Sequence, residues 1–426
     1  LLKRLIEDIL DLREQHNAKN SAYTGQTHRT EQVVFMKRAP VSEILWLFLG
    51  TRLLLLAGTY FSYILFPVPP HLYPNTAVDL SGLLTSWDHW DAQRYVHVAQ
   101  YGYQSMYDTP FFPLFPLLIK GLALLFGDQG YLAAGILLSN AALLGTLFVI
   151  YQLAIDALGE QAGRRAILYL CIFPTAFFFF AAYNESLFLL LTGSSFLAMR
   201  RQRWWLAGGL GLLAALTRTA GLLLAVPFLY EVWATRTLPA PGERAPGCWR
   251  QLWQRFPRIL PICLLPLGTA AYCTFCWLTF GNPFSFALVQ MHWGRATTWP
   301  WNGPFYALIE LFYVQPFGSF IEAHLLLDMA ATAGFIVLTI FCWRILRPGY
   351  ALWISLLVLY MLISPALSQH DMLQSTQRFV LEMFPGFLAL AALGLRHPRL
   401  HSACMLAFPF LQALLAALFV LNRWMV

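Results

Sequence analysis

Long apolar runs, most of 14–24 residues, recur along the chain and are separated by short polar stretches rich in Gly, Pro, Arg or Asp. Runs of that length predict membrane-spanning helices, whereas a transmembrane barrel would show short alternating segments. The expected spans are 43–66, 131–154, 166–182, 186–199, 204–217, 220–235, 259–279, 322–343, 349–366, 378–395 and 402–421. A further apolar segment, 111–127, opens on Phe-Phe-Pro-Leu-Phe-Pro and ends at Gly127-Asp128.

Charge bias orients these spans. Arg200, Arg201 and Arg203, the basic loop 236–258, Arg344 with Arg347, and Arg396 with Arg399 all belong on the cytoplasmic side. They fall together only if 111–127 is a juxtamembrane or re-entrant helix, which gives about 11 spans, an inside amino terminus and an outside carboxyl terminus; hydropathy alone favours the alternative, a full crossing there. The organisation expected is a cytoplasmic amphipathic lead-in over 1–42, then one transmembrane domain over 43–426. Its first external loop is 67–110, and a second external loop is 281–304. No cleavable signal peptide is expected, since the first long apolar run begins near Glu43 and exceeds an h-region. On this topology the 67–110 loop, Tyr183-Asn184-Glu185, Thr217-Arg218-Thr219, the 281–304 loop and 367–378 share the external face.

Composition agrees with an all-α polytopic membrane protein: 58% of the 426 residues are hydrophobic and only 12% are charged. In a soluble chain a net charge of +7 would suggest nucleic acid; here cytoplasmic arginines account for it, and the partner expected is the lipid bilayer. The seven cysteines lie mostly inside apolar runs, so disulfides are not the organising device. Cys273 and Cys276 read as packing residues, and Gly208, Gly209 and Gly211 as positions of close helix approach. There is no P-loop and no Rossmann glycine signature, which argues against nucleotide-driven chemistry.

Candidate chemistry concentrates in the first external loop. Asp88 and Asp91 stand three apart among Trp87, Trp90 and Tyr95. At helical spacing they would share a face, close enough to divide base and binding roles or to hold a divalent cation, should the reaction use one. Arg218 interrupts an apolar run and needs a partner, either an acid such as Glu185 or a substrate phosphate. Arg378 opens a span at the same face and is either a second phosphate candidate or an interfacial anchor, with Gln377 beside it as a hydrogen-bonding group. His292 and Arg295 would complete the polar wall from the 281–304 loop.

WDHWDAQRYVHVAQYGY followed by FFPLFPLLIK resembles the signature of the glycosylphosphatidylinositol mannosyltransferase 2 family, in its bacterial-type form. FPTAFFFFAAYNESLFLLLT, LTRTAGLLLAVP and QRFVLEMFPGF match further motifs of that family in order. The resemblance implies a C-type glycosyltransferase fold and a polyprenyl-phosphate sugar donor. It implies Asp91 as general base, Asp88 as a group orienting the acceptor, and Glu185 as the acid balancing Arg218. Arg218 and Arg378 would steady the departing lipid phosphate. The family's Arg-Tyr is Arg378-Phe379 here, so a tyrosine hydroxyl is missing from that place.

The function expected is inverting transfer of a sugar, with mannose implied by the resemblance, to a lipid or glycan acceptor on the extracytoplasmic face of a bacterial plasma membrane. Two rivals share the composition: a transporter or flippase of a lipid-linked or small polar substrate, and a non-catalytic membrane subunit.

Overall fold

The computed structural model describes residues 40–66, 80–127, 130–235, 255–367 and 370–423. Residues 1–39 of the expected lead-in, the start of the first loop with Asp79, and most of the basic loop 236–258 lie outside these described residues. The described residues form helices throughout, with no strand among them. In chain order these are α1 (Val41–Leu65), α2 (Leu80–Thr85), α3 (Asp91–Tyr101), α4 (Leu114–Ala123), α5 (Tyr131–Leu158) and α6 (Glu160–Ile172). Next come α7 (Glu185–Arg200), α8 (Trp204–Ala215), α9 (Ala225–Ala234), α10 (Leu264–Phe280), α11 (Ser285–His292) and α12 (Asn302–Ile309). The chain ends with α13 (Phe320–Ile345), α14 (Pro348–Leu362), α15 (Thr376–Phe379), α16 (Phe384–Arg396) and α17 (Pro398–Val420).

Five of the helical segments are long and apolar enough to cross a membrane: Val41–Leu65, Tyr131–Leu158, Arg255–Phe280, Phe320–Ile345 and Pro398–Val420. A sixth would be the pair Thr376–Glu382 and Phe384–Arg396, bent by 85°. Three other expected spans are shorter apolar helices, Trp204–Ala215, Thr219–Ala234 and Pro348–Leu362, and so is Leu114–Ala123 in the 111–127 segment. At 1.5 Å per residue the 10 residues of Leu114–Ala123 reach about 15 Å, half the hydrocarbon thickness. The outer helices turn large apolar side chains outward, for example Leu53 and Leu54 on α1 and Leu278 on α10, as an integral membrane protein requires.

At the centre α5 packs along α6 and α7, α7 against α8, and α8 against α10. Glycine lets the last pair approach: a Cβ on Gly208 would fall on the Pro261 carbonyl oxygen, and one on Gly211 would sit 2.8 Å from the Leu265 side chain. Gly209, expected to do the same, has open space around it. Cys276 is buried beside Phe112, Tyr272 and Phe286 and is a packing residue.

The bundle has two polar layers. One joins Arg200 to Glu231 at 3.3 Å, Arg201 to Asp156 at 3.2 Å, and Arg164 to Glu160 and Glu43. The other gathers around Glu185, at the opposite end of α7. The 16 residues of α7 hold the layers about 24 Å apart.

Candidate active site

Three interrupted stretches of backbone converge on the beginning of α3. The first is the run from Phe173 to Asn184, with a 3-10 turn at Ala176–Phe179. Its carbonyls are met from α5: Ser139 Oγ donates to Tyr183 O at 2.8 Å, and Asn140 Nδ2 to Phe180 O at 3.1 Å. The second break follows α8, where Arg218 is extended (φ −157°, ψ 147°). There Leu114 N donates to Leu216 O at 3.1 Å and Asn184 Nδ2 to Thr217 O at 3.0 Å. The third runs from Ser375 (φ 68°) through α15 to Pro385, whose missing N–H helps end the preceding turn. Thr175 Oγ1 donates to Gln377 O at 2.6 Å there. Broken backbone is tolerated inside a membrane protein when side chains satisfy it in this way.

These breaks deliver the charged groups. Arg378 Nη1 lies 2.7 Å from Asp91 Oδ2, and its Nε lies 3.4 Å from Glu185 Oε1. The same Glu185 oxygen takes Arg218 Nη1 at 3.2 Å, and Arg218 also meets Glu382. Arg218 Nη1 donates to Asn184 Oδ1 at 3.4 Å as well. The expected Arg218–Glu185 pairing is therefore present, extended by a second arginine and a third acid. Arg378, Glu185 and Glu382 are buried, whereas the Asp91 side chain keeps 30% exposure and is open to a ligand.

Phe379 forms the floor. The guanidinium carbons of Arg218, Arg295 and Arg378 lie 5.2, 5.2 and 5.3 Å from its ring centroid. Arg295 donates to the Ser364 and Gln374 carbonyls, each at 3.0 Å, and forms no carboxylate ion pair among the described residues. Burial, followed by the neighbouring Arg378 charge, pulls its pKa down to about 10, so it stays a cation at neutral pH. Two arginines meet three acids here, and Arg295 beside them retains N–H groups for an incoming anion.

Asp88 and Asp91 do not share a helix face, contrary to the expectation from their spacing. Trp90 stands at φ 51° and α3 starts only at Asp91, so Asp88 lies in the turn outside the helix. Asp91 accordingly sits at a helix N-terminus, which favours a carboxylate, and points to Arg378. Asp88 Oδ1 is buried without a hydrogen bond, and burial raises its pKa above the usual carboxylate value. The loop aromatics anchor this turn: Trp87 is fully buried against Phe180 and Phe419, and Tyr95 meets Phe111 and Phe115 edge-on. Tyr183 Oη donates to the His89 carbonyl at 3.3 Å and so ties the α3 turn to the start of α7.

His292 is exposed and rests edge-on against Tyr107. The Gln377 backbone is fully engaged, its N–H donating to Asp328 Oδ1 at 2.9 Å. Glu382 was not among the residues singled out by sequence. The signal was available, because an acid four residues beyond Arg378 in an apolar run needs a partner for the same reason as Arg218.

Comparison with known proteins fits this geometry. The sequence profile of the mannosyltransferase (PIG-V) family matches residues 44–235, which hold Asp91, Glu185 and Arg218. The chain is 39% identical over 167 residues to mouse GPI alpha-1,6-mannosyltransferase 2 and 36% identical to the human protein. Each match covers 36% of this chain and 34% of the relative, so the chain spans about a third of the length of these curated relatives. In fold it resembles ArnT from Cupriavidus metallidurans, solved with undecaprenyl phosphate, at a TM-score of 0.50 and 13% identity. That likeness covers 86% of this chain and 63% of ArnT. Residues 44–235 of the chain therefore match the mannosyltransferase (PIG-V) family, and its fold is one that it shares with ArnT.

Proposed function

We propose that this chain is an inverting glycosyltransferase that moves a sugar from a polyprenyl-phosphate donor to a hydroxyl of a lipid or glycan acceptor on the extracytoplasmic face. Mannose is the sugar the family match favours. The observation that carries this reading is Asp91, partly open and held at 2.7 Å by Arg378, beside three guanidinium groups on one aromatic floor. Undecaprenyl phosphate bound to ArnT adds support for a lipid-phosphate donor.

In the reaction the acceptor oxygen attacks the anomeric carbon from the face opposite the phosphate. Asp91 takes the hydroxyl proton as the new bond forms. The bond from the anomeric carbon to the phosphate oxygen breaks, and its electron pair leaves with the lipid phosphate. Arg295, together with the Arg218–Arg378 pair, offsets the charge gathering on that oxygen. Glu185 and Glu382 keep the arginine cluster in place before the donor arrives, so little reorganisation is left for the transition state. Asp88 stands outside the ion network, and its place in the turn before α3 suits a group that orients the acceptor.

The test is sugar transfer by reconstituted full-length chain from radiolabelled polyprenyl-phosphate mannose to a membrane lipid extract. Asp91→Asn should lower the rate by about 10²–10⁴-fold, the usual contribution of a general base, while the protein stays folded. A folded Asp91→Asn that transfers at the native rate would remove Asp91 as the base.

A further inference from the structure

We propose that His324, Asp328 and Asp371 bind a divalent transition-metal cation, at a site distinct from the Asp91 network and independent of the glycosyl-transfer reading. His324 and Asp328 are four residues apart on α13 and share one face. Asp371 reaches them from the loop that follows α14. One ligand atom from each of the three lies within 4.8 Å of the others. His324 Nδ1 is 3.9 Å from Asp371 Oδ2, too far for a hydrogen bond.

The second observation is an unmet valence. Asp328 is fully buried; its Oδ1 accepts from Thr376 Oγ1 and from Gln377 N, each at 2.9 Å. Its Oδ2 accepts nothing, and neither does Asp371 Oδ2. No Arg or Lys forms an ion pair with either acid among the described residues. Two buried carboxylates facing each other are costly unless a positive charge lies between them. An imidazole nitrogen joined to carboxylate oxygens suits Zn²⁺ or Mn²⁺, whereas Ca²⁺ and Mg²⁺ favour oxygen alone. Ligand bonds of about 2.0–2.2 Å bring donor atoms roughly 3–3.6 Å apart, so small side-chain rotations close the site.

The ion would act as a positioning centre. Asp328 holds Thr376 and the Gln377 N–H, immediately before Arg378, so a cation on its other oxygen would fix the turn that carries Arg378 toward Asp91.

The experiment strips the purified full-length chain with a chelator and returns Mn²⁺ or Zn²⁺ alone. Binding is read from the electron paramagnetic resonance of free Mn²⁺ and from elemental analysis for Zn²⁺. The native chain should take up about one ion, and Asp371→Asn and His324→Gln should each weaken binding about tenfold or more, since even an outer-shell partner is worth that much. Asp91→Asn should bind as the native chain does, which separates this site from the transfer reaction. A native chain that takes up neither ion overturns the proposal, and a proton shared by the two acids then explains the pair. Binding unchanged in both folded ligand variants overturns it as well.

Discussion

Glu185 presents one carboxylate oxygen to two arginines, and Arg378 in turn spans two acids, so no charge in this cluster has a private partner. Shared pairing explains how three acids and two arginines, Arg218 and Arg378, can be held together below the surface of an apolar bundle, where an isolated ion would be excluded. Phe379 stands where the resembled family places tyrosine, and its ring serves as a common platform for three guanidiniums. Glu382→Leu should destabilise the protein by about 2–3 kcal/mol, less than the 3–5 kcal/mol of a fully orphaned buried charge, because Glu185 still meets Arg218. Thermal unfolding in detergent measures this, and the double variant with Arg218→Leu should lose less than the sum of the two single changes. Additive losses would show that the two side chains do not act as a pair.

At the scale of elements, the candidate site sits where helices stop. Glu185 opens α7, Arg218 lies in the gap after α8, and Arg378 lies in the short α15 before an 85° bend. A continuous helix would satisfy its own backbone and leave these side chains spread along a cylinder. The breaks turn them toward one point, and Ser139, Asn140, Thr175 and Asn184 supply the hydrogen bonds that the breaks release. The scaffold around them depends on close approach of α8 to the segment that leads into α10. Gly208→Ala should therefore destabilise by about 1–3 kcal/mol, since the new methyl group meets the Pro261 carbonyl. Gly209→Ala, which meets nothing within 4 Å, should be neutral or slightly stabilising in the same unfolding measurement.

Across the whole molecule, two polar layers bracket an apolar middle, and the helix termini assign each layer to one end. The Arg200–Glu231 and Arg201–Asp156 pairs lie with the residues expected on the cytoplasmic side, and the Asp91 cluster lies at the other end of α7. With the native cysteines replaced, Tyr107→Cys should react with a membrane-impermeant maleimide on intact cells, because Tyr107 is exposed at the site end. Gln202→Cys, in the exposed turn between α7 and α8, should react only after permeabilisation. Labelling with the reverse pattern would invert the proposed orientation, and labelling of both in intact cells would refute two opposed layers.

The sequence by itself determined that this is a helical membrane protein, because hydrophobicity over a run of residues is a local property. It also marked Asp91, Glu185, Arg218 and Arg378, since an ionised side chain next to apolar runs is conspicuous without any coordinates. Spacing misled at Asp88, where a positive φ at Trp90 delays the start of α3, and proximity in sequence misled at His292. Only the tertiary structure decided which acid meets which arginine. Residues 91 and 378 are 287 positions apart, and their 2.7 Å contact depends on how three backbone breaks are packed and capped. The same packing brings Asp371 to His324 and Asp328 on α13, a grouping that no local pattern encodes.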